Sequence, residues 1–155
     1  MNIIMDLVTN RILVATVAAW FVAQFLKVLF DTIKNGFSVE RLTGSGGMPS
    51  SHSATVTGLV VSTAIVEGVG GFPFVMAMFF AIIVIYDAAG VRMETGREAQ
   101  VLNRLAERDQ AEGKQPLNEK PLREKMGHTI SEIIVGMVLG GTVAAITCIL
   151  MQKLI

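Results

Sequence analysis

Charge, cysteine and histidine are all scarce in this chain. Only 17% of its 155 residues are charged, against about 25% in an average soluble domain. The one cysteine, Cys148, lies in an apolar run, which excludes a disulfide framework and leaves core packing as its role. Basic and acidic residues number 13 each, so the cationic excess that nucleic acid requires is missing and no nucleic-acid partner is expected. A single cation, Arg11, precedes the first apolar run and no small-x-small cleavage site comes after it, so that segment reads as retained and not as a signal peptide. No internal repeat or low-complexity tract stands out. What is abundant is apolar: 52% of the residues are hydrophobic and the mean hydropathy is +0.56. The expectation is an all-α integral membrane protein, a small helical bundle forming one domain over residues 1–155.

Four segments approach the roughly 20 residues that cross a bilayer, at about 12–33, 53–69, 72–89 and 129–151. The second and third are joined by the short turn GVGGFP. The charged loop 92–126 separates the third from the fourth. Within it Thr95 and Glu98 have the spacing of a capping box, and Ala99, Leu102, Leu105 and Ala106 recur at helical spacing. That pattern predicts an interfacial amphipathic helix ending near Gly113, with Pro116 and Pro121 breaking any helix beyond it. Four spans put both termini on one side. All cations except Arg11 and Lys153 fall on or just inside the other side. By the positive-inside rule the two-loop side is cytoplasmic, in a cell inner membrane.

Charged groups inside apolar spans are costly and usually face a bundle interior or a wet cavity. Gln24, Lys27, Asp31 and Lys34 recur every three or four residues and so share one helical face. Two readings fit: lysines snorkelling to headgroups with Asp31 as their partner, or a cationic stripe lining a site. The two histidines, His52 and His128, each open an apolar span at the same membrane boundary. Glu132 lies one turn beyond His128, where its carboxylate would fix the ring's tautomer and leave the other nitrogen free as a nucleophile or base. Gly136, Gly140 and Ala144 continue that ridge, in the pattern that lets membrane helices approach closely.

Between the first two spans lies GSGGMPSSHSA, residues 44–54. Ser50 or Ser51 caps the next helix, and Gly44, Gly46 and Gly47 let backbone N–H groups converge. With the helix N-terminus, these would make an anion site suited to phosphate; the bland alternative is a plain capped loop. At the end of the third span, Asp87 and Arg92 reach the same boundary. Either Arg92 or Arg97 could grip phosphate oxygens, or Asp87 and Arg92 simply pair.

These blocks carry a family resemblance. PSSHSA at 49–54 resembles the P-S-G-H motif of type 2 phosphatidic acid phosphatases, relatives of the vanadium haloperoxidases. HTISEIIVG at 128–136 is similar to their H-x-x-x-D block, with glutamate in place of aspartate. Lys27 and Lys34 are spaced like the lysine and arginine of their K-x6-R-P block, and Pro121-Leu122 stand where a serine–arginine pair would fall. Together with YDAAGVR, the pattern looks most like the divergent branch of that superfamily, over about residues 24–141.

The resemblance implies a membrane lipid-phosphate phosphatase working through a phosphohistidine, without metal or cofactor. His128 would be the nucleophile, Glu132 its orienter and His52 the general acid. Lys27, Lys34, Ser50, Ser51, Gly47 and Arg92 would hold phosphate, with Asp87, Arg97 and Asp31 in support. The substrate would be phosphatidylglycerophosphate, phosphatidate or an isoprenyl phosphate. Four spans are fewer than the six usual in such enzymes, which leaves completion of the site in a homodimer as one expectation. The alternative function is a non-catalytic phospholipid-binding or assembly protein that keeps the phosphate cradle. A third, an ion-relaying bundle, would need a continuous polar path through Glu67.

Overall fold

The computed structural model describes residues 2–36, 47–115, 120–124 and 126–154. Gly44, Gly46 and Pro116 lie outside them. The described elements are helices: α1 (Ile3–Thr9), α2 (Arg11–Asn35), α3 (Ser51–Val66), α4 (Phe72–Tyr86), a π-helical turn (Asp87–Val91), α5 (Arg92–Ala111) and α6 (Ile130–Leu154).

Helix α2 begins where the Asn10 side chain accepts the Leu13 N–H at 3.0 Å, a local cap that separates it from the unforeseen α1. Both α2 and α6 have 25 residues, about 37 Å at 1.5 Å per residue and enough for a bilayer core of about 30 Å. Three stretches are long and apolar enough to cross a membrane: Arg11–Lys34, Phe72–Ala111 and Ile130–Lys153. Helix α3, with 16 residues, reaches only about 24 Å.

One expectation about the third span is corrected. The capping box does not start a new helix, because α4 runs through the π turn into α5 without a break. Thr95 sits inside the helix and its hydroxyl donates to the Val91 carbonyl at 3.0 Å. Nothing in YDAAGVRMET stops a helix; it holds no proline, and its lone Gly90 is tolerated. The amphipathic helix over Arg92–Ala111 is present, but its covered face is Gly96 and Ala99, while Leu102 and Leu105 are exposed.

Small residues form the core. Ala15, Ala19 and Ala23 of α2, Ala54 and Ser62 of α3, and Gly136, Gly140, Ala144 and Cys148 of α6 are all buried. Large side chains such as Phe21, Phe25, Phe79 and Ile134 point outward. In water such a surface would drive aggregation. In a bilayer lipid is as apolar as leucine, so helices associate through close packing of small residues. Helix α3 sits centrally, packed on α2, α4 and α6, and α2 also packs on α6. A Cβ on Gly58 would stand 2.8 Å from the Ala19 Cβ. A Cβ on Gly140 would run into the Ala54 backbone, whereas one on neighbouring Gly141 would meet only Thr57 and Val61 methyl groups at 3.5 Å.

Adjacent glycines should therefore respond oppositely. Gly140→Ala should lower stability by about 1–3 kcal/mol, the usual cost of overpacking. Gly141→Ala should be neutral or stabilising by up to about 1 kcal/mol, the helix-propensity gain. Unfolding of the two variants in detergent micelles reads the difference.

Candidate functional site

The site is assembled where α3 and α6 begin and α4 ends. Of the two serines that could cap α3, Ser50 is the cap: its hydroxyl accepts the Ser53 N–H at 3.3 Å and the Ser53 hydroxyl at 3.1 Å. Ser51 is the first helical residue and is buried. The Ser50 N–H donates to the Glu132 carbonyl of α6 at 3.1 Å. A Cβ at Gly136 would collide with the Ser50 carbonyl. The first turn of α3, which carries His52, is thus fixed directly to the first turn of α6.

His128 lies just before α6 with 5% of its surface exposed. Its backbone N–H donates to the Ala88 carbonyl at 3.0 Å. Its Nδ1 is 3.3 Å from Glu132 Oε2, which also accepts the Thr129 N–H at 3.0 Å. With Nδ1 protonated, the ring donates to the carboxylate and Nε2 keeps its lone pair. Burial lowers the His128 pKa below 6.5 as the largest influence; Glu132 raises it, and Lys27 and Arg92 lower it. The His52 and His128 rings face each other edge-on, with centroids 5.8 Å apart and planes at 60°.

Lys27 continues the buried Ala15–Ala19–Ala23 ridge by one more i,i+4 step and is itself 8% exposed. It lies within electrostatic reach of both histidines. Gly47, at φ +102°, takes a backbone conformation that disfavours side chains, and the position of its missing Cβ is 3.4 Å from Lys27 Cε. A larger residue there would press on the lysine stem.

Beside the histidines is a cavity of about 270 Å³. His52, His128, Asp87 and Arg92 supply its polar wall and Ile83 and Val84 an apolar one. Asp87 Oδ2 and Arg92 Nε are 2.6 Å apart. Residues five apart do not meet on an α-helix, where partners are three or four apart. The π turn, in which the Arg92 N–H reaches the Asp87 carbonyl, brings them onto one side. Both side chains are nearly half exposed, so the pair contributes only about 0–1 kcal/mol.

Three residues singled out in the sequence lie elsewhere. Arg97 is exposed and paired with Glu94 at 2.6 Å. Lys34 is exposed in the last turn of α2. Neither lines the cavity. Asp31 is half-buried and also outside the lining.

Sequence reading missed the strap that delivers His128. Asn103 Nδ2 donates to the Leu122 carbonyl at 2.9 Å and to Glu124 Oε1 at 2.8 Å, and Asn103 Oδ1 accepts the Leu122 N–H at 2.8 Å. Gly96 lets the backbone of Glu124 and Met126 lie directly on α5. Gly127, at φ +79°, lies against Met93, its absent Cβ position 2.7 Å from the Met93 nitrogen. An asparagine and a glycine inside a helix that otherwise favours good helix formers were the available signal.

The comparisons agree with this architecture. The family model for the Divergent PAP2 family matches residues 8–143. The chain is 34% identical over 146 residues to the uncharacterized membrane protein YuiD of Bacillus subtilis (strain 168), covering 88% of this chain and 92% of that one. No solved structure matches it significantly. The chain belongs to the divergent PAP2 family and is an integral membrane protein.

Asn103→Ala should release the strap. Hydrogen exchange of the Leu122 amide should speed up, and stability should fall by about 1–3 kcal/mol, the cost of stranding part-buried polar groups. Exchange rates unchanged at Leu122 would show that the strap is held by other contacts.

Proposed function

We propose that the protein is a lipid-phosphate phosphatase that hydrolyses a phosphomonoester through a phosphohistidine. The observation that carries the reading is the pair of histidine rings 5.8 Å apart beside a cavity, with Glu132 held against Nδ1 of one of them. In the first step His128 Nε2 attacks phosphorus; the N–P bond forms as the P–O ester bond breaks, and His52 gives its proton to the departing alkoxide. In the second, His52 takes a proton from water as that water attacks phosphorus, which breaks the N–P bond and releases phosphate. Lys27, Arg92 and the N–H groups that open α3 stabilise charge on the phosphate oxygens. Ser50 shapes that loop as the helix cap, and Gly47 leaves room for Lys27.

The site faces the cytoplasm in the inner membrane, by the distribution of cations. Ile83 and Val84 give the ester chain an apolar path. Phosphatidylglycerophosphate, phosphatidate and isoprenyl phosphates all meet these demands. A second reading, phospholipid binding without turnover, is favoured by Arg92 being engaged with Asp87 and by Pro121-Leu122 replacing the family's serine–arginine pair.

Purified protein in mixed micelles, with a chelator and no added metal, should release phosphate from a lipid monophosphate, and vanadate should inhibit it. His128→Ala should abolish release, and His52→Ala should lower kcat by about 10²–10⁴-fold. Folded wild-type protein that binds the lipid without releasing phosphate would favour the second reading.

The pH profile gives a separate check. His128 must be neutral to attack, and its pKa lies below the ordinary 6.5. The acid limb of kcat/KM should therefore fall below pH 6.5. Glu132 raises that pKa, so Glu132→Gln should move the limb lower still while reducing kcat. A limb that moved upward would remove Glu132 from its place behind His128.

A further inference from the structure

We propose that Asp87 is a specificity-determining residue that restricts the cavity to substrates carrying one phosphate and disfavours diphosphates. The inference rests on the phosphatase reading above and concerns charge at the cavity wall.

Two cations, Lys27 and Arg92, and two carboxylates, Asp87 and Glu132, surround the histidines. The carboxylates are placed differently. Glu132 is outside the cavity lining, and one of its oxygens is shared between His128 Nδ1 and the Thr129 N–H. Asp87 lines the cavity itself, and its Oδ2 contacts Arg92 Nε.

A phosphate dianion at His128 draws Arg92 away from Asp87, since the pair is open to solvent. Asp87 then stands as an uncompensated negative charge on the wall it shares with Ile83 and Val84. A monophosphate offers that wall its neutral ester side. A diphosphate places a second charged group there, against a like charge.

The test compares wild type, Asp87→Asn and Asp87→Glu, as full-length protein in mixed micelles, on an isoprenyl monophosphate and the diphosphate of the same chain. The wild type should prefer the monophosphate. Asp87→Asn should shrink that preference by about tenfold, as expected for removing one nearby charge, and Asp87→Glu should keep most of it. Calorimetric titration with inorganic phosphate and with pyrophosphate needs no turnover and separates the wall's contribution from that of the lipid chain. Phosphate outbinding pyrophosphate in wild type but not in Asp87→Asn, without hydrolysis of either lipid, would sink the phosphatase reading and support this one. A wild type that prefers diphosphate, or a preference untouched by Asp87→Asn, would overturn it with the phosphatase reading intact. Binding of neither anion would overturn both.

Discussion

The distance between the backbones of α3 and α6 governs the rest of the molecule. Gly136 and Gly140 present no side chain to Ser50 and Ala54, so the two helices meet backbone to backbone. That approach allows the Ser50 N–H to reach the Glu132 carbonyl. One hydrogen bond thus joins the loop before His52 to the residue that steadies His128. In lipid, where burying apolar surface gains nothing over leaving it in the acyl chains, such closeness is the main source of cohesion. The same solution recurs outside the bundle, where Gly96 and Gly127 let the strap lie on α5.

The beginnings of α3 and α6 converge at one end of the bundle. Each carries the partial positive charge of a helix N-terminus, and Lys27 adds a cation from the end of the α2 ridge. A carboxylate would be costly in most of a membrane protein. Glu132 is accommodated by its place in the first turn of α6, where it accepts the Thr129 N–H. The field that accommodates Glu132 also favours an anion in the adjoining cavity. Structural tolerance and the proposed phosphate affinity would therefore have one physical origin.

Much of this was legible in the chain because it is local and periodic. The apolar runs mark the positions of α2, α3, α4 and α6 to within a few residues. The four-residue spacing of His128, Glu132, Gly136 and Gly140 marks one helical face, and PSSH marks a capped start. Where sequence reading failed, the determinant was not periodic. The contacts of Asn103 with Leu122 span 19 residues, and no local pattern announces them. Lys27 and Lys34 have equivalent spacing, yet one ends a buried alanine ridge and the other is exposed, a difference set by neighbouring helices. Thr95 and Glu98 match a cap by type, but a cap needs a chain entering from outside a helix, and here α4 is already helical.

The π turn has a further consequence for how this site tolerates change. A substitution there alters one side chain and leaves the others in place. A π turn holds one residue more than an ordinary helical turn, so loss of a single residue there would restore α-helix and leave the charged side chains of Asp87 and Arg92 four positions apart, still on one side. An added residue would set them six positions apart, where about 100° per residue carries them to different faces. The segment therefore tolerates shortening by one residue better than lengthening by one.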